Sequence, residues 1–387
     1  MNAAKTTKKN KIIILIVLTL VLALSFFLFL IQCRDTIDSD LPDHIRMAEE
    51  GQLYSLDTWI MNVLQRIWPS GGLVVLYLSV TVILTIAATV CFMKAISRYQ
   101  YESSSQMIYI WLLSSAMLFI CSIYIPKFFP WLYRNTIGTQ PWHNSTYILM
   151  RPLAMLSLIL FFKIDSHYRE DIKASEWVLF TVLLTLTNFA KPNFIIAFAP
   201  MMLMFLIYDF IKSSGKSTKQ AVMFGLCVLI SLSVCLIQTK ILFPDGENSG
   251  IAFTLKNAEE MLLNPAETVL RVVCGLAFPI FATAFLVKEK QTDRQTVQVW
   301  VMYLAARLES IFLMETGIRA TDGNFLWGLS FAVYALFALL LCKWRDAYLA
   351  KKIQKTWFYI GFSIFVVHVL NGLIYFFEIM LRVRYYK

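Results

Sequence analysis

Apolar runs long enough to cross a bilayer recur from one end of this chain to the other. The first, from Ile12 to Ile31, holds no charged residue. As a helix rising about 1.5 Å per residue, a run of that length spans a hydrocarbon slab of about 30 Å. In lipid every backbone N–H and C=O must be satisfied within the segment, so such runs are helices. Composition agrees: 58% of the 387 residues are hydrophobic and 16% are charged, where a soluble domain carries about 25% charged residues. The expectation is an all-α polytopic membrane protein, with residues 1–387 as a single integral-membrane domain and no separate soluble domain.

The runs predict about eleven transmembrane helices, within a range of ten to twelve, near 12–32, 73–93, 107–125, 147–163, 176–187, 194–209, 221–243, 270–287, 297–314, 325–342 and 357–381. The fifth and sixth come from one stretch, Glu176 to Asp209, that would run to about 50 Å as a straight helix against a core of about 30 Å. It is interrupted at Asn188-Phe189-Ala190-Lys191-Pro192-Asn193, and the chain is split there. Lys5, Lys8, Lys9 and Lys11 precede an apolar core longer than a signal peptide's, so the first run is expected to stay as an uncleaved span. With the N-terminus in the cytoplasm, Lys and Arg concentrate in the cytoplasmic loops, as the positive-inside rule requires. The net charge of +10 is spread over those loops. It marks membrane topology and lipid contact, not a nucleic-acid partner. Of the seven cysteines only Cys33 lies in an outer loop, so no disulfide framework is expected.

The outer segment 33–72 concentrates the chemistry. Asp35, Asp38, Asp40, Asp43 and His44 follow the first span within a few residues, with Pro42 stiffening the backbone between the last two carboxylates. A carboxylate held beside a low-dielectric slab has a raised pKa and is suited to take a proton from an alcohol. Asp40 and Asp43 stand nearest the next helix and are the catalytic candidates. No cofactor is dictated, although the acidic loop has the chemistry to hold a divalent cation. Over 45–68, Leu53, Leu56, Ile60, Val63, Leu64 and Ile67 recur at steps of three or four, with Asp57, Asn62, Gln65 and Arg66 between them. This predicts an amphipathic helix lying on the membrane surface, with Trp59 and Trp68 at the interface.

The other binding candidates are scattered. Besides His44 they are His143 and Asn144, which follow Trp142 as a set that could stack on and hydrogen-bond a sugar, and Arg151, one turn inside the fourth span. An arginine there is costly unless it faces a cavity or a partner. Lys191 sits at the helix break, a position tolerated where it lines a protein cavity, and a lysine there suits a phosphate. Arg307 and Glu309 are two apart inside the ninth span and point to different partners or an aqueous cleft. Glu315 and Arg319 are four apart and could pair, with Asn324 following. There is no phosphate-binding glycine loop, zinc motif or Ser-His-Asp arrangement. The cytoplasmic loops are too short for a nucleotide-sugar domain, so an enzyme of this layout takes its donor from the membrane or the outer side.

The order of first span, acidic loop with Asp40 and Asp43, amphipathic helix and Lys191-Pro192 break resembles the GT-C superfamily of polytopic glycosyltransferases. The resemblance covers the chain to about residue 210. It implies a polyprenyl-phosphate-linked sugar as donor and a glycan, lipid or protein acceptor of the cell envelope. It also implies an active site on the outer face of the cell membrane and transfer with inversion, one carboxylate acting as general base. Lys191, Arg151 and Arg319 would then face the leaving phosphate, with His143 as a further candidate. Two other classes fit a polytopic chain: a transporter or flippase of lipid-linked glycans, and a polysaccharide polymerase or ligase. The first would place ionisable residues near the midplane; here the carboxylates cluster at the outer edge.

Overall fold

A computed structural model of the protein describes residues 8–33, 39–69, 71–99, 101, 103–127, 142–167, 172–242, 250–317 and 323–381. Each apolar run holds a helix, although the third, predicted over 107–125, is helical only to Phe119. In chain order these are α1 (Lys8–Gln32), two short helices α2 (Leu41–Glu49) and α3 (Leu56–Ile67), α4 (Gly72–Ile96) and α5 (Ser104–Ala116), which tightens into a 3-10 turn at Met117–Phe119. Then come α6 (Ser145–His167), α7 (Ala174–Ala190), α8 (Asn193–Lys212) and α9 (Thr218–Leu242). Strand β1 (Ile251–Phe253) and α10 (Lys256–Leu263) lead to α11 (Pro265–Lys288), α12 (Arg294–Phe312), strand β2 (Leu313–Glu315), α13 (Leu326–Leu349) and α14 (Lys355–Leu381). The helices α1, α4, α6, α8, α9, α11, α13 and α14 are long and apolar enough to cross a membrane, and α7 and the α5 segment are shorter apolar helices. The chain is thus a multi-pass membrane protein, and the helix of the ninth predicted span, α12, is the most polar of the long ones. Among the described residues the exception to an all-helical reading is a three-residue antiparallel pairing, Ile251 with Glu315 and Phe253 with Leu313.

The bundle is built around α13. In its most apolar 18-residue window 89% of residues are buried, against 22% in α1 and α9, whose outer faces are left for lipid. Around it pack α4, α8, α11, α12 and α14, while α4, α6, α7 and α9 follow one another in a row. Phe161, Phe180, Phe198 and Phe224 interlock where α6 to α9 meet. At the contact of α8 with α13, a Cβ on Gly328 would lie 2.8 Å from the Asn193 carbonyl oxygen. The two backbones approach so closely that only glycine fits. In α11 the backbone leaves helical geometry at Leu276, three residues before Pro279, whose ring and missing N–H disrupt the preceding turn.

α6 has 23 residues and so separates its ends by about 35 Å. One end gathers the start of α6, the Lys191 break between α7 and α8, and the start of α13. The opposite end gathers the ends of α6 and α8 and the start of α12, joined where Arg294 meets Asp165 and Asp209.

The segment after the acidic loop differs from expectation. The predicted single helix over 45–68 is two helices. Gly51 takes the left-handed conformation (φ +79°) that ends α2, and Ser55 starts α3 with a capping box to Thr58. Asp57, Thr58, Asn62 and Gln65 on the polar face of α3 are buried against the bundle, while Trp59, Val63, Ile67 and Trp68 are exposed. The helix is amphipathic with its polar face turned in, the arrangement required when the medium on its outer side is lipid.

Candidate functional site

Asp40 stands at the N-cap of α2, yet its side chain makes no capping hydrogen bond. Its carboxylate instead accepts from Asn144 Nδ2 at 2.7 Å, across 104 residues of sequence. The backbone fixes the same neighbourhood, with Asp40 N–H donating to the His143 carbonyl at 2.9 Å. Asn144 begins α6. Its Oδ1 accepts from Tyr147 N–H at 3.0 Å, from Thr146 Oγ1 at 2.7 Å and from Lys191 Nζ at 3.3 Å. The amide is therefore oriented by its partners, with oxygen toward the cation and nitrogen toward the carboxylate. Lys191 also donates to Thr146 Oγ1 at 3.1 Å.

The break that positions Lys191 is local chemistry. Pro192 cannot continue α7 and disfavours helical geometry in the residue before it, so Lys191 is extended (φ −162°, ψ 124°). Its ammonium lies 5.2 Å from the centre of the Trp327 ring, which also meets Tyr147 at 4.8 Å and His143 at 5.0 Å. Asn193 Nδ2 then donates to the Asn324 carbonyl at 2.6 Å, tying the break to the start of α13.

A second carboxylate lies beneath. Asp57, fully buried on α3, accepts from Ser145 Oγ at 2.6 Å and from Tyr77 OH at 2.9 Å. Burial raises its pKa to about 6, opposed by those two hydrogen bonds and by the charge of Lys191. His44 Nδ1 lies 2.6 Å from the same Ser145 oxygen. Since that hydroxyl gives its one proton to Asp57, the ring nitrogen is the donor, which fixes the tautomer of a neutral His44.

The structure thus brings together Asp40, His143, Asn144 and Lys191, with His44 joined through Ser145. Arg151 is buried deeper in α6, its guanidinium 5.0 Å from the Tyr147 ring and 4.4 Å from the Tyr334 ring. It meets the site through the Tyr147 ring. Asp43 points elsewhere, exposed and paired with Arg46 at 2.9 Å. Glu315 and Asn324 hydrogen-bond each other at 2.5 Å and line a neighbouring cavity of about 490 Å³, whose described wall includes neither Asp40 nor Lys191. Arg319, Asp35 and Asp38 lie outside the described residues. Among the described residues no three His, Cys, Asp or Glu side chains are grouped to hold a metal ion.

Sequence reasoning missed Asp57, Ser145, Tyr147 and Trp327. The stripe of Asp57, Thr58, Met61, Asn62 and Gln65 along one face of a surface helix was the available signal, because a polar stripe on a lipid-facing helix has to be turned toward protein. Compared with known proteins, the chain matches no family and no curated sequence.

Proposed function

We propose that the protein is a GT-C-type membrane glycosyltransferase, moving a sugar from a polyprenyl-phosphate donor to a cell-envelope glycan, lipid or protein. The N-terminus is cytoplasmic and the Lys191 end of the bundle faces outward. The observation that carries this reading is the Asp40–Asn144–Lys191 chain: a carboxylate released from capping its own helix and linked through one oriented amide to a cation. Asp40 is the general base. It takes the proton of the acceptor hydroxyl as that oxygen attacks the anomeric carbon. The bond from that carbon to the phosphate oxygen breaks with inversion, and polyprenyl phosphate leaves with the bonding pair. Charge grows on the departing phosphate, and Lys191 is the fixed cation that meets it. Asn144 positions both groups. Asp43, exposed and paired with Arg46, is outside this step.

The test uses the full-length protein in nanodiscs, a radiolabelled polyprenyl-phosphate hexose and a panel of envelope glycans. Wild type forms a new glycosidic bond. Asp40→Asn lowers the rate by about a thousandfold, the middle of the range of about 10²–10⁴ that a general base contributes, while Asp43→Asn retains activity. Undiminished transfer by Asp40→Asn would sink the base assignment. Movement of the donor across a proteoliposome bilayer without bond formation would establish the flippase class instead.

A further inference from the structure

The 490 Å³ cavity beside the site lies between α10, α11, α12 and the start of α13, and among the described residues that line it cations outnumber carboxylates. Lys256, Arg271 and Arg307 line it against two carboxylates, Glu267 and Glu315. Arg271 is paired with Glu267 one turn earlier on α11. Arg307 is not paired: among the described residues its guanidinium meets the Met261 sulfur at 3.9 Å and no carboxylate. A partly buried arginine on a helix of a membrane bundle is expensive unless it has a partner or serves a ligand. Here the guanidinium opens on a cavity.

The rest of the wall indicates what the ligand is. A lone phosphate would leave most of the cavity empty, since the volume falls within the range of about 300–1,000 Å³ typical of small-molecule sites. The amides of Asn257, Asn264 and Asn324 and the hydroxyls of Ser310 and Thr268 supply donors and acceptors suited to a ring of hydroxyl groups. A guanidinium suits a carboxylate or phosphate substituent on that ring. The wall is also fixed to the neighbouring site. Asn257 Nδ2 donates to the Ser310 carbonyl at 3.2 Å, and the Asn324 carbonyl accepts from Asn193, two residues past Lys191.

From the unmatched Arg307 and this polar wall, we infer that the cavity is a binding subsite for an anionic saccharide unit, a sugar carrying one carboxylate or phosphate. In the transferase reading, on which the assignment of its role rests, Lys191 takes the donor's phosphate. The anionic sugar in this cavity then belongs to the acceptor.

Binding is measured apart from transfer, on the full-length protein in nanodiscs. The probes are a glucuronyl-N-acetylglucosamine disaccharide, its neutral glucosyl counterpart, glucose 1-phosphate and inorganic phosphate. Wild type is expected to bind the uronate disaccharide or glucose 1-phosphate at least tenfold more tightly than the neutral disaccharide and inorganic phosphate. Arg307→Gln loses that preference and Arg307→Lys keeps part of it. Asn257→Ala, which leaves the charges in place, weakens the sugars and not inorganic phosphate. Absence of binding by both anionic sugars overturns the subsite, as does equal affinity for charged and neutral probes or an unchanged preference in Arg307→Gln. Displacement of the sugars by phosphatidylglycerol in the disc overturns it in favour of a lipid site. Intact anionic preference in a protein that forms no glycosidic bond leaves the subsite standing and sinks the transferase reading.

Discussion

The Arg294 cluster and the Asp40–Asn144–Lys191 network, at opposite ends of the bundle, hold charge in different ways. At the Arg294 end, cations meet carboxylates directly. Arg294 donates to both oxygens of Asp165 at 2.7 and 2.8 Å and to both oxygens of Asp209 at 3.0 and 2.5 Å, closing α6, α8 and α12 on one another. Lys343 meets Asp293 at 2.5 Å, and Asp346 accepts from Arg98 N–H at 2.7 Å, fastening α13 to the segments after α11 and α4. At the Lys191 end, the described hydrogen bonds of the lysine go to an amide oxygen and a hydroxyl, and the Asp40 and Asp57 carboxylates are met by an amide and by hydroxyl groups. Paired charges stabilise a structure and spend their fields on each other. Charges separated by neutral, oriented groups keep a field that can act on a third party. The contrast marks one end as a clamp and the other as a candidate site.

The largest expected effect tests the clamp. Arg294→Met leaves Asp165 and Asp209, both buried, without their cation, and breaking one side of a buried ion pair costs about 3–5 kcal/mol. The expected result is a lower thermal midpoint in detergent and poor yield of folded protein. A midpoint within a degree of wild type would erase the distinction between the ends. Lys191→Met is the counterpart. It removes a cation that hydrogen-bonds Asn144 Oδ1 and Thr146 Oγ1, and the midpoint is expected to move less than in Arg294→Met, while transfer falls about a hundredfold, near the 2.7 kcal/mol of one electrostatic contact in a transition state. A large loss of stability with proportionate loss of activity would make the lysine a structural group. Smaller again is Gly328→Ala, whose added carbon meets the Asn193 carbonyl oxygen. Overpacking of this kind costs about 1–3 kcal/mol, and it should shift activity as well as stability because Asn193 adjoins Lys191.

Much of this arrangement is legible in the sequence, and what is not has physical causes. Unbroken apolar length places a helix in each predicted run, and Pro192 marks the break at which the buried Lys191 sits. Periodicity shows that α3 has two faces. It cannot say which face meets protein, because that depends on whether the opposite medium is water or lipid. Asp57, expected only on the polar face of a surface helix, is found buried against the bundle. The clamp is invisible for a different reason: Arg294 reaches Asp165 across 129 residues and Asp209 across 85, and nothing in local spacing encodes such a pairing. Glu315 hydrogen-bonds Asn324, nine residues on, while Arg319, which the spacing offered as its partner, lies outside the described residues.

The finest test separates the buried Asp57 of the site from the clamp by its response to pH. Asp57 in the folded protein titrates near 6, raised by burial from the ordinary 3.8. Below about pH 3.8 the group is neutral in both folded and unfolded chains, and its contribution to stability is fully present. Between about 4 and 6 the unfolded chain gives up the proton and the folded one keeps it, so stability falls as pH rises, by at most about 1.4 kcal/mol per pH unit. Above 6 the loss is complete and the curve flattens. Asp57→Asn has no such proton to lose. Its thermal midpoint, although lowered overall because the amide nitrogen faces the Ser145 or Tyr77 hydroxyl, should lack the decline that wild type shows across that window. The difference between the two curves isolates this one group from every other titration in the molecule. If the curves stay parallel from pH 4 to 6.5, Asp57 is not held protonated by burial in that window. The carboxylate would then resemble the paired acids of the Arg294 end, and the contrast between the two ends would reduce to Asp40 and Lys191 alone.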